Sequence, residues 1–246
     1  MFLKVNSFFS RFLFLAIVLY SIWPISFVAA DSGVRIEMKR ATHKNVRVAV
    51  TQFDLRKGGV DSEKLGLEAY EILANDLKLS EMFLQIAPNV YKNLEQKEMG
   101  GKEVDLWAWH QLGAQWLVKT EYSVMPDGKL SLTFRLYDTV SEKFLLGKRY
   151  SVTEKKFLRK VIHRYADELV FQLTGKRGVA ETQIAFLSRD NKNTEIFSVD
   201  FDGYNSKKIT DDNTLNLTPA WSPNGRWLIY TSYAGNNPDL IMIDIT

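Results

Sequence analysis

The stretch TPAWSPNGRWLIYTSY, residues 218–233, decides how the second half of this chain is interpreted. Its Pro-Asn-Gly sequence, residues 223–225, is typical of a tight turn between two antiparallel strands. The apolar and aromatic run that follows the turn is typical of a strand. We therefore expect a β-hairpin here, in which Trp221 and Trp227 are packing residues between neighbouring sheets and do not bind a ligand.

The hairpin belongs to a sequence repeat. Residues 184–202 align without a gap on residues 228–246, so that Ser188 meets Ser232 and Asp200 meets Asp244. A period of about 40–45 residues with several short strands is typical of a propeller blade. The sequence therefore predicts all-β propeller repeats over 179–246, an incomplete propeller of about one and a half blades. Two unrelated hairpins with similar turns are the alternative.

Residues 31–176 have a different pattern. Apolar and polar residues alternate over residues 130–137, and the Pro-Asp-Gly-Lys turn at 126–129 precedes them, which predicts a half-buried strand of a hairpin. Apolar residues at helical spacing predict a helix over residues 155–174, and Gly175 is its stop signal. We expect an α+β domain here, a mixed sheet with helices on one face.

The N-terminus has the pattern of an export signal. Residues 1–30 carry Lys4 and Arg11, then the apolar run FLFLAIVLY, then the small pair Ala29-Ala30 before Asp31. This order is typical of a cleaved signal peptide, and it predicts a periplasmic protein; an uncleaved membrane anchor is the alternative. Without these 30 residues, 30 basic side chains face 29 acidic ones, which argues against nucleic-acid binding. The chain has no cysteine, which excludes thiol chemistry.

The sequence carries no pattern typical of a catalytic or metal site. His43, His110 and His163 are far apart, and there is no G-x-S-x-G motif. His163 and Asp167 are four residues apart on the predicted helix, and we interpret them as a solvated surface pair. The acidic turn at 200–203 lacks the further ligands of a calcium loop, so we interpret it as a strand connection. We therefore expect no enzyme, no cofactor and no small-molecule substrate.

Two tryptophans also call for an interpretation. Trp107 and Trp109 flank Ala108 in a short predicted helix that begins at Asp105. Residues two apart on a helix point to different sides, so we expect no aromatic binding platform from this pair.

Several stretches together resemble the TolB family, the periplasmic component of the Tol–Pal system. The resemblance spans essentially the whole chain in the family's order, and it is carried by GVRIEM (33–38), FRLYD (134–138), LLGKRY (145–150), HRYADELVFQLTGKRGV (163–179), TQIAFLSRD (182–190) and the stretch at 218–233. It implies an N-terminal α/β domain followed by a six-bladed propeller, and an adaptor without enzymatic activity. It also implies binding to the peptidoglycan-associated lipoprotein Pal through a propeller face, and to TolA of the inner-membrane complex through the N-terminal segment.

The N-terminal segment supplies the candidate partner-binding residues. Apolar and charged side chains alternate there, and such a terminal strand can add to the edge of a partner's sheet. The predicted partner-binding residues are Val34, Arg35, Ile36, Glu37 and Met38. A plain first strand of the chain's own sheet is the alternative for this segment.

Two functions from different classes remain at this point. The first is a periplasmic adaptor of the Tol–Pal type that supports outer-membrane integrity and constriction during cell division. The second is the N-terminal part of a propeller-containing serine hydrolase, which would need a nucleophile-elbow motif beyond residue 246.

Overall fold

The computed structural model describes residues 46–56, 64–125, 127, 129–190 and 193–245. Within these residues, helices and strands alternate up to Thr174, and only strands follow. The predicted signal peptide (1–30) and the predicted partner-binding strand (34–38) lie outside the described residues.

The first part, which we call the α/β region, contains a sheet and four helices. Its strands are β1 (Val46–Val50), β2 (Asp54–Leu55), β3 (Phe83–Gln85), β4 (Trp116–Val124), β5 (Leu130–Asp138) and β6 (Lys143–Val152). Its helices are α1 (Leu65–Leu79), α2 (Pro88–Glu98), α3 (Leu106–Gln111) and α4 (Leu158–Thr174).

The sheet of the α/β region is mixed, as predicted. Its strand order is β3-β1-β4-β5-β6, and β2 pairs with β4 beside this path. β1 runs parallel to both β3 and β4, whereas β4, β5 and β6 form an antiparallel meander. The parallel pairs need crossover connections, and these are made by the helices α1, α2 and α3.

The two long helices lie on one face of the sheet. β5 shows why the core forms there: its alternate residues, including Leu132 and Phe134, are almost fully buried. They belong to one apolar cluster with residues of α1 and α4, such as Leu73 and Leu169. The prediction of helices on one face is confirmed for this pair. α4 ends at Gly175, whose left-handed backbone (φ 70°) suits glycine and matches the predicted stop.

The two short helices add a smaller layer on the opposite face. Ala49 and Leu117 point away from the main core because neighbouring strand residues alternate between faces. They form a second buried cluster with Tyr91 of α2 and Trp109 of α3. α2 buries Glu95 as well as Tyr91, so an apolar pattern alone does not reveal its packing face. The helices therefore cover both faces of the sheet, and the prediction of one face has to be extended.

The second part consists of two three-stranded sheets. The first small sheet contains β7 (Gln183–Asp190), β8 (Asn193–Asp200) and β9 (Lys207–Lys208), and the second small sheet contains β10 (Asn216–Trp221), β11 (Trp227–Ser232) and β12 (Asp239–Asp244). None of the helices among the described residues is long and apolar enough to cross a membrane.

The pairing register confirms the sequence repeat. Ile184 pairs with Val199 in the first small sheet, and Leu228 pairs with Ile243 in the second, which is the same pairing after the predicted shift. The two sheets share an apolar cluster, built on Ile196 of one sheet and on Leu228 and Tyr230 of the other. The described part of the chain thus contains neighbouring sheets that resemble a partial propeller, and the alternative of unrelated hairpins is not supported.

Candidate functional site

A buried charge network lies where the α/β region meets the first small sheet. The Nδ1 atom of His163 is 2.7 Å from Oδ2 of Asp76, and its Nε2 atom is 3.7 Å from Oδ2 of Asp202. The guanidinium group of Arg159 pairs with the same carboxylate of Asp202. We call these four residues the joint network. Three of its side chains are almost completely buried: those of Asp76, His163 and Asp202.

Three separate elements bring these side chains together. Asp76 lies on the buried side of α1, next to Leu77. Arg159 and His163 are one turn apart on α4, so their side chains extend from the same face of that helix. Asp202 comes from the turn after β8. That turn is tight because the N–H group of Gly203, which has a φ of 88°, donates to the carbonyl of Asp200 at 2.8 Å.

The structure corrects one sequence-based interpretation. His163 was expected to form a solvated surface pair with Asp167, but its residue exposure is 4% and it pairs with Asp76. Asp167 instead accepts backbone N–H groups from Ala180, at 2.7 Å, and Glu181, at 3.0 Å. The buried face of α4 includes His163 in addition to the apolar residues. His163 lies on the side of α4 that contacts α1, and this is why it pairs with Asp76. The interpretation of residues 200–203 as a strand connection is confirmed, with the added finding that this turn inserts Asp202 into the network.

The charges of the network favour a protonated His163. Burial by itself would lower the pKa of His163, but the hydrogen bond that His163 donates to Asp76 and the negative charges of Asp76 and Asp202 outweigh burial and raise it. With a neutral imidazole, two carboxylates face the single cation Arg159; with an imidazolium, the charges balance. Among the described residues, the buried Nε2 atom of His163 and the buried Oδ1 atom of Asp76 have no hydrogen-bond partner, so the network is only partly satisfied there.

The same atoms also satisfy a distance criterion for metal binding, because one ligand atom each of Asp76, His163 and Asp202 lies within 4.8 Å of the others. However, the guanidinium group of Arg159 already pairs with Asp202, and Asp76 Oδ2 is hydrogen-bonded to His163. A fixed cation in the site opposes a metal ion. We therefore interpret the network as a set of paired charges and not as a metal centre.

A cleft of about 730 Å³ opens beside the network. α4 contributes Lys160 to its wall in addition to Arg159 and His163, and Lys156 comes from the short 3-10 turn, Lys155–Phe157, just before α4. The opposite wall contains Trp221 and the turn at residues 222–225. Basic, acidic, aromatic and turn groups, among them Glu181 and Asp200, thus surround an open, polar space.

The two tryptophans of the opening stretch have different surroundings. Trp221 packs against the cluster that joins the two small sheets, as predicted, while its buried indole Nε1 finds no hydrogen-bond partner within the described ranges. Trp227 is half-buried, and the guanidinium carbon of Arg226 lies 5.0 Å from its ring centre. Arg226 in turn pairs with Asp244 on the next strand, at 2.7 Å.

A second, smaller cleft of about 360 Å³ lies near the carboxyl ends of β1 and β4. Its buried carboxylates have partners within the protein. Glu98 accepts the indole N–H of Trp109 at 3.0 Å and the ammonium group of Lys119 at 2.8 Å. Glu121 pairs with Arg135 at 2.6 Å and also with Arg56. Glu98 and Glu121 therefore hold the sheet and its loops together.

Comparison with known proteins relates the two parts of the chain to one family. The TolB amino-terminal domain matches residues 34–145, and the TolB beta propeller domain matches residues 170–246. The Tol-Pal system protein TolB of Desulfosudis oleivorans is 34% identical over 226 residues, which cover 91% of this chain and 50% of the relative. The protein of the same name from Geobacter sulfurreducens is 34% identical over 214 residues, covering 87% and 48%.

A solved structure agrees with this assignment at the level of the fold. The crystal structure of TolB from Acinetobacter baumannii superimposes with a TM-score of 0.66 and 20% identity, covering 82% of this chain and 47% of that one. The chain spans about half the length of the curated relatives it matches. Two family-specific domains in the expected order, a shared fold and a third of identical residues lead to one conclusion: this chain belongs to the TolB family.

Proposed function

We propose that this chain is a periplasmic protein-binding adaptor of the Tol–Pal system, that it supports outer-membrane integrity and constriction during cell division, and that it catalyses no reaction. Family membership over both parts of the chain is the observation that carries the proposal. The relatives are named as Tol-Pal system proteins. In this proposal the adaptor consists of an α/β domain over residues 31–176 and the start of a propeller over 179–246.

Export through a cleaved signal peptide is part of the proposal. The basic, apolar and small-residue order of residues 1–30 supports it. Mass spectrometry of the product from the periplasmic fraction should give a mature N-terminus at Asp31. Recovery of the unprocessed chain in the membrane fraction would favour the anchored alternative.

The proposed partners are TolA and Pal. We assign TolA to the alternating segment at residues 34–38, which would add to a sheet edge of TolA through backbone hydrogen bonds. Side chains on one face of such a strand contact the partner's core, while those on the other face remain in water. Pal would bind a propeller face, and no residue of this chain is assigned to that contact.

The test uses variants on the two faces of the same short strand. Isothermal titration of the exported chain with the periplasmic part of TolA should detect binding. Ile36→Glu places a charge on the apolar face and should abolish this binding, because a buried carboxylate without a partner is costly. Glu37→Gln, on the opposite face, is the matched control and should bind within about twofold of the original chain.

Two results would contradict the assignment. If TolA does not bind at all, the adaptor proposal fails for this segment; if Ile36→Glu binds as tightly as Glu37→Gln, TolA contacts another surface. For the hydrolase alternative, which the family match does not favour, the gene should encode a G-x-S-x-G region beyond residue 246 and the product should cleave ester substrates.

A further inference from the structure

We propose that the joint network is a proton-dependent latch, which holds the first small sheet against the α/β region when His163 carries a proton and loosens when His163 is neutral. The inference concerns the interior of the chain and does not rest on the proposed partners.

The turn at residues 200–203 is the part that the latch holds. Asp202 enters the space beside α1 and α4, where its side chain is 1% exposed and pairs with Arg159. The adjacent Phe201 donates its backbone N–H to Thr182 at 3.0 Å, and its side chain lines a small cavity beside Ala166 on α4. The connection between the α/β region and the first small sheet therefore includes a buried carboxylate. The positive groups that compensate its charge, Arg159 and His163, lie on α4.

The charges that face His163 come from every element around it. α1 contributes Asp76, α4 contributes Arg159, and the turn contributes Asp202. Tyr204 covers the guanidinium group of Arg159, with 3.9 Å between the guanidinium carbon and the ring centre. A neutral His163 thus leaves one buried negative charge uncompensated. A buried unpaired charge is strongly destabilising, and burial also raises the pKa of Asp76. In the proposal, the remaining cost is relieved when the turn withdraws Asp202 into water.

The sign of the pH dependence follows from the direction of the His163 shift. The folded pKa of His163 lies above its ordinary value, because the carboxylates of Asp76 and Asp202 outweigh burial. When the turn moves away, one of these carboxylates is lost and the pKa of His163 falls towards its ordinary value of about 6.5. The latch is therefore fully closed below about pH 6.5, and it weakens as the pH rises through the folded pKa.

Hydrogen–deuterium exchange measures this opening directly. The backbone N–H group of Phe201, next to Asp202, donates to the carbonyl of Thr182, while that of Leu132 belongs to the sheet core. Protection factors of the full chain should be measured between pH 6 and pH 9, after correction for the intrinsic exchange rate. Protection at Phe201 should fall up to about tenfold per pH unit within the window, whereas Leu132 should keep its protection.

Variants identify the proton that matters. His163→Gln should make the protection of the turn independent of pH, at the level of the loosened state. His110→Gln, at an exposed histidine of α3, is the matched control and should retain the original pH dependence. Asp202→Asn removes one of the carboxylates, so NMR titration of His163 in that variant should give a lower pKa than in the original chain, even if His163→Gln does not fold.

The latch is overturned by any of three results. These are turn protection that does not change between pH 6 and pH 9 in the original chain, an unchanged pH dependence in His163→Gln, or a His163 pKa that Asp202→Asn leaves the same.

Discussion

The ring of Tyr165 stacks on the ring of Phe134, with centroids 3.9 Å apart and planes inclined by 23°. This contact joins α4 to β5 in the centre of the main core. Tyr165 is 1% exposed, and its hydroxyl group has no hydrogen-bond partner in the part of the chain that the structure describes. The ring therefore stabilises the core, while the buried hydroxyl opposes this stabilisation.

Removal of this hydroxyl should increase stability. Tyr165→Phe keeps the ring and is expected to raise the free energy of unfolding by about 1 kcal/mol, because an unsatisfied buried polar group is lost. Tyr91 is the matched control, since its buried hydroxyl donates to the carbonyl of Val50 at 2.6 Å. Tyr91→Phe should lower the free energy of unfolding by about 1 kcal/mol. Urea unfolding followed by circular dichroism measures both; equal losses in the two variants would contradict the assignment.

The segment after α4 should not tolerate a side chain at position 178. A Cβ atom on Gly178 would come within 2.5 Å of the Cα atom of Asp167, a backbone position that cannot easily move. Gly178→Ala should therefore lower the free energy of unfolding by about 1–3 kcal/mol. Gly235→Ala is the control, because its new Cβ would lie 3.4 Å from a side-chain oxygen of Asp239. Comparable thermal midpoints for the two variants would argue against a tight approach at Gly178.

Acid should weaken the sheet through Glu121. Burial would raise the pKa of Glu121, but the hydrogen bonds from Arg135 and Arg56 outweigh burial and lower it. The resulting stabilisation is present above the ordinary pKa of about 4.3 and is lost as the pH falls through the folded pKa. Glu121→Gln should thus destabilise the protein at pH 7 and reduce the slope of stability against pH below about pH 4.3.

A surface ion pair provides the comparison for Glu121. Asp211 is exposed and pairs with Lys208. Asp211→Asn should change the free energy of unfolding at pH 7 by less than about 1 kcal/mol, because exposed ion pairs contribute little. Urea titrations at pH 7 and pH 3 give the loss of unfolding free energy between these two pH values. If this loss is the same for Glu121→Gln and for the original chain, the carboxylate of Glu121 is not the acid-sensitive group.

The two neighbouring tryptophans should differ in their contribution to stability. Trp109 is completely buried and its indole N–H donates to Glu98, whereas Trp107 is 60% exposed. Trp109→Ala should cost about 3–5 kcal/mol, and Trp107→Ala should stay within about 0.5 kcal/mol of the original chain. Chemical unfolding of both variants tests this; a large loss in Trp107→Ala would place that ring in a contact that the described residues do not contain.

The sequence predicted those elements whose pattern is local. β5 alternates apolar and polar residues so regularly that its buried face could be read directly, and α4 with Gly175 at its end was equally clear. The repeat in the second part predicted two equivalent units, and Leu228 pairs with Ile243 as Ile184 pairs with Val199. In each case the deciding interactions lie within a few residues or within one hairpin.

The sequence did not predict features that depend on distant partners. Glu95 of α2 is buried, and the backbone N–H of Gln52 satisfies its carboxylate with a hydrogen bond of 2.6 Å. No residue near Glu95 in the sequence indicates that Gln52 is its partner. The joint network is a stronger example. Asp76 and His163 lie on two helices and are 87 positions apart, and Asp202 comes from the turn after β8. Their charges identify possible partners, but only the packing of α1 against α4 brings them together.

The central claim is that this TolB-family chain acts by binding proteins through its N-terminal segment. A photo-reactive phenylalanine analogue at position 36, in cells that express the tagged chain, tests this claim most directly. The same analogue at the exposed position 107 is the control. We expect position 36 to give a crosslinked product that contains TolA, and position 107 to give none. Equal labelling at both positions, or products from position 36 that lack TolA, would contradict the claim.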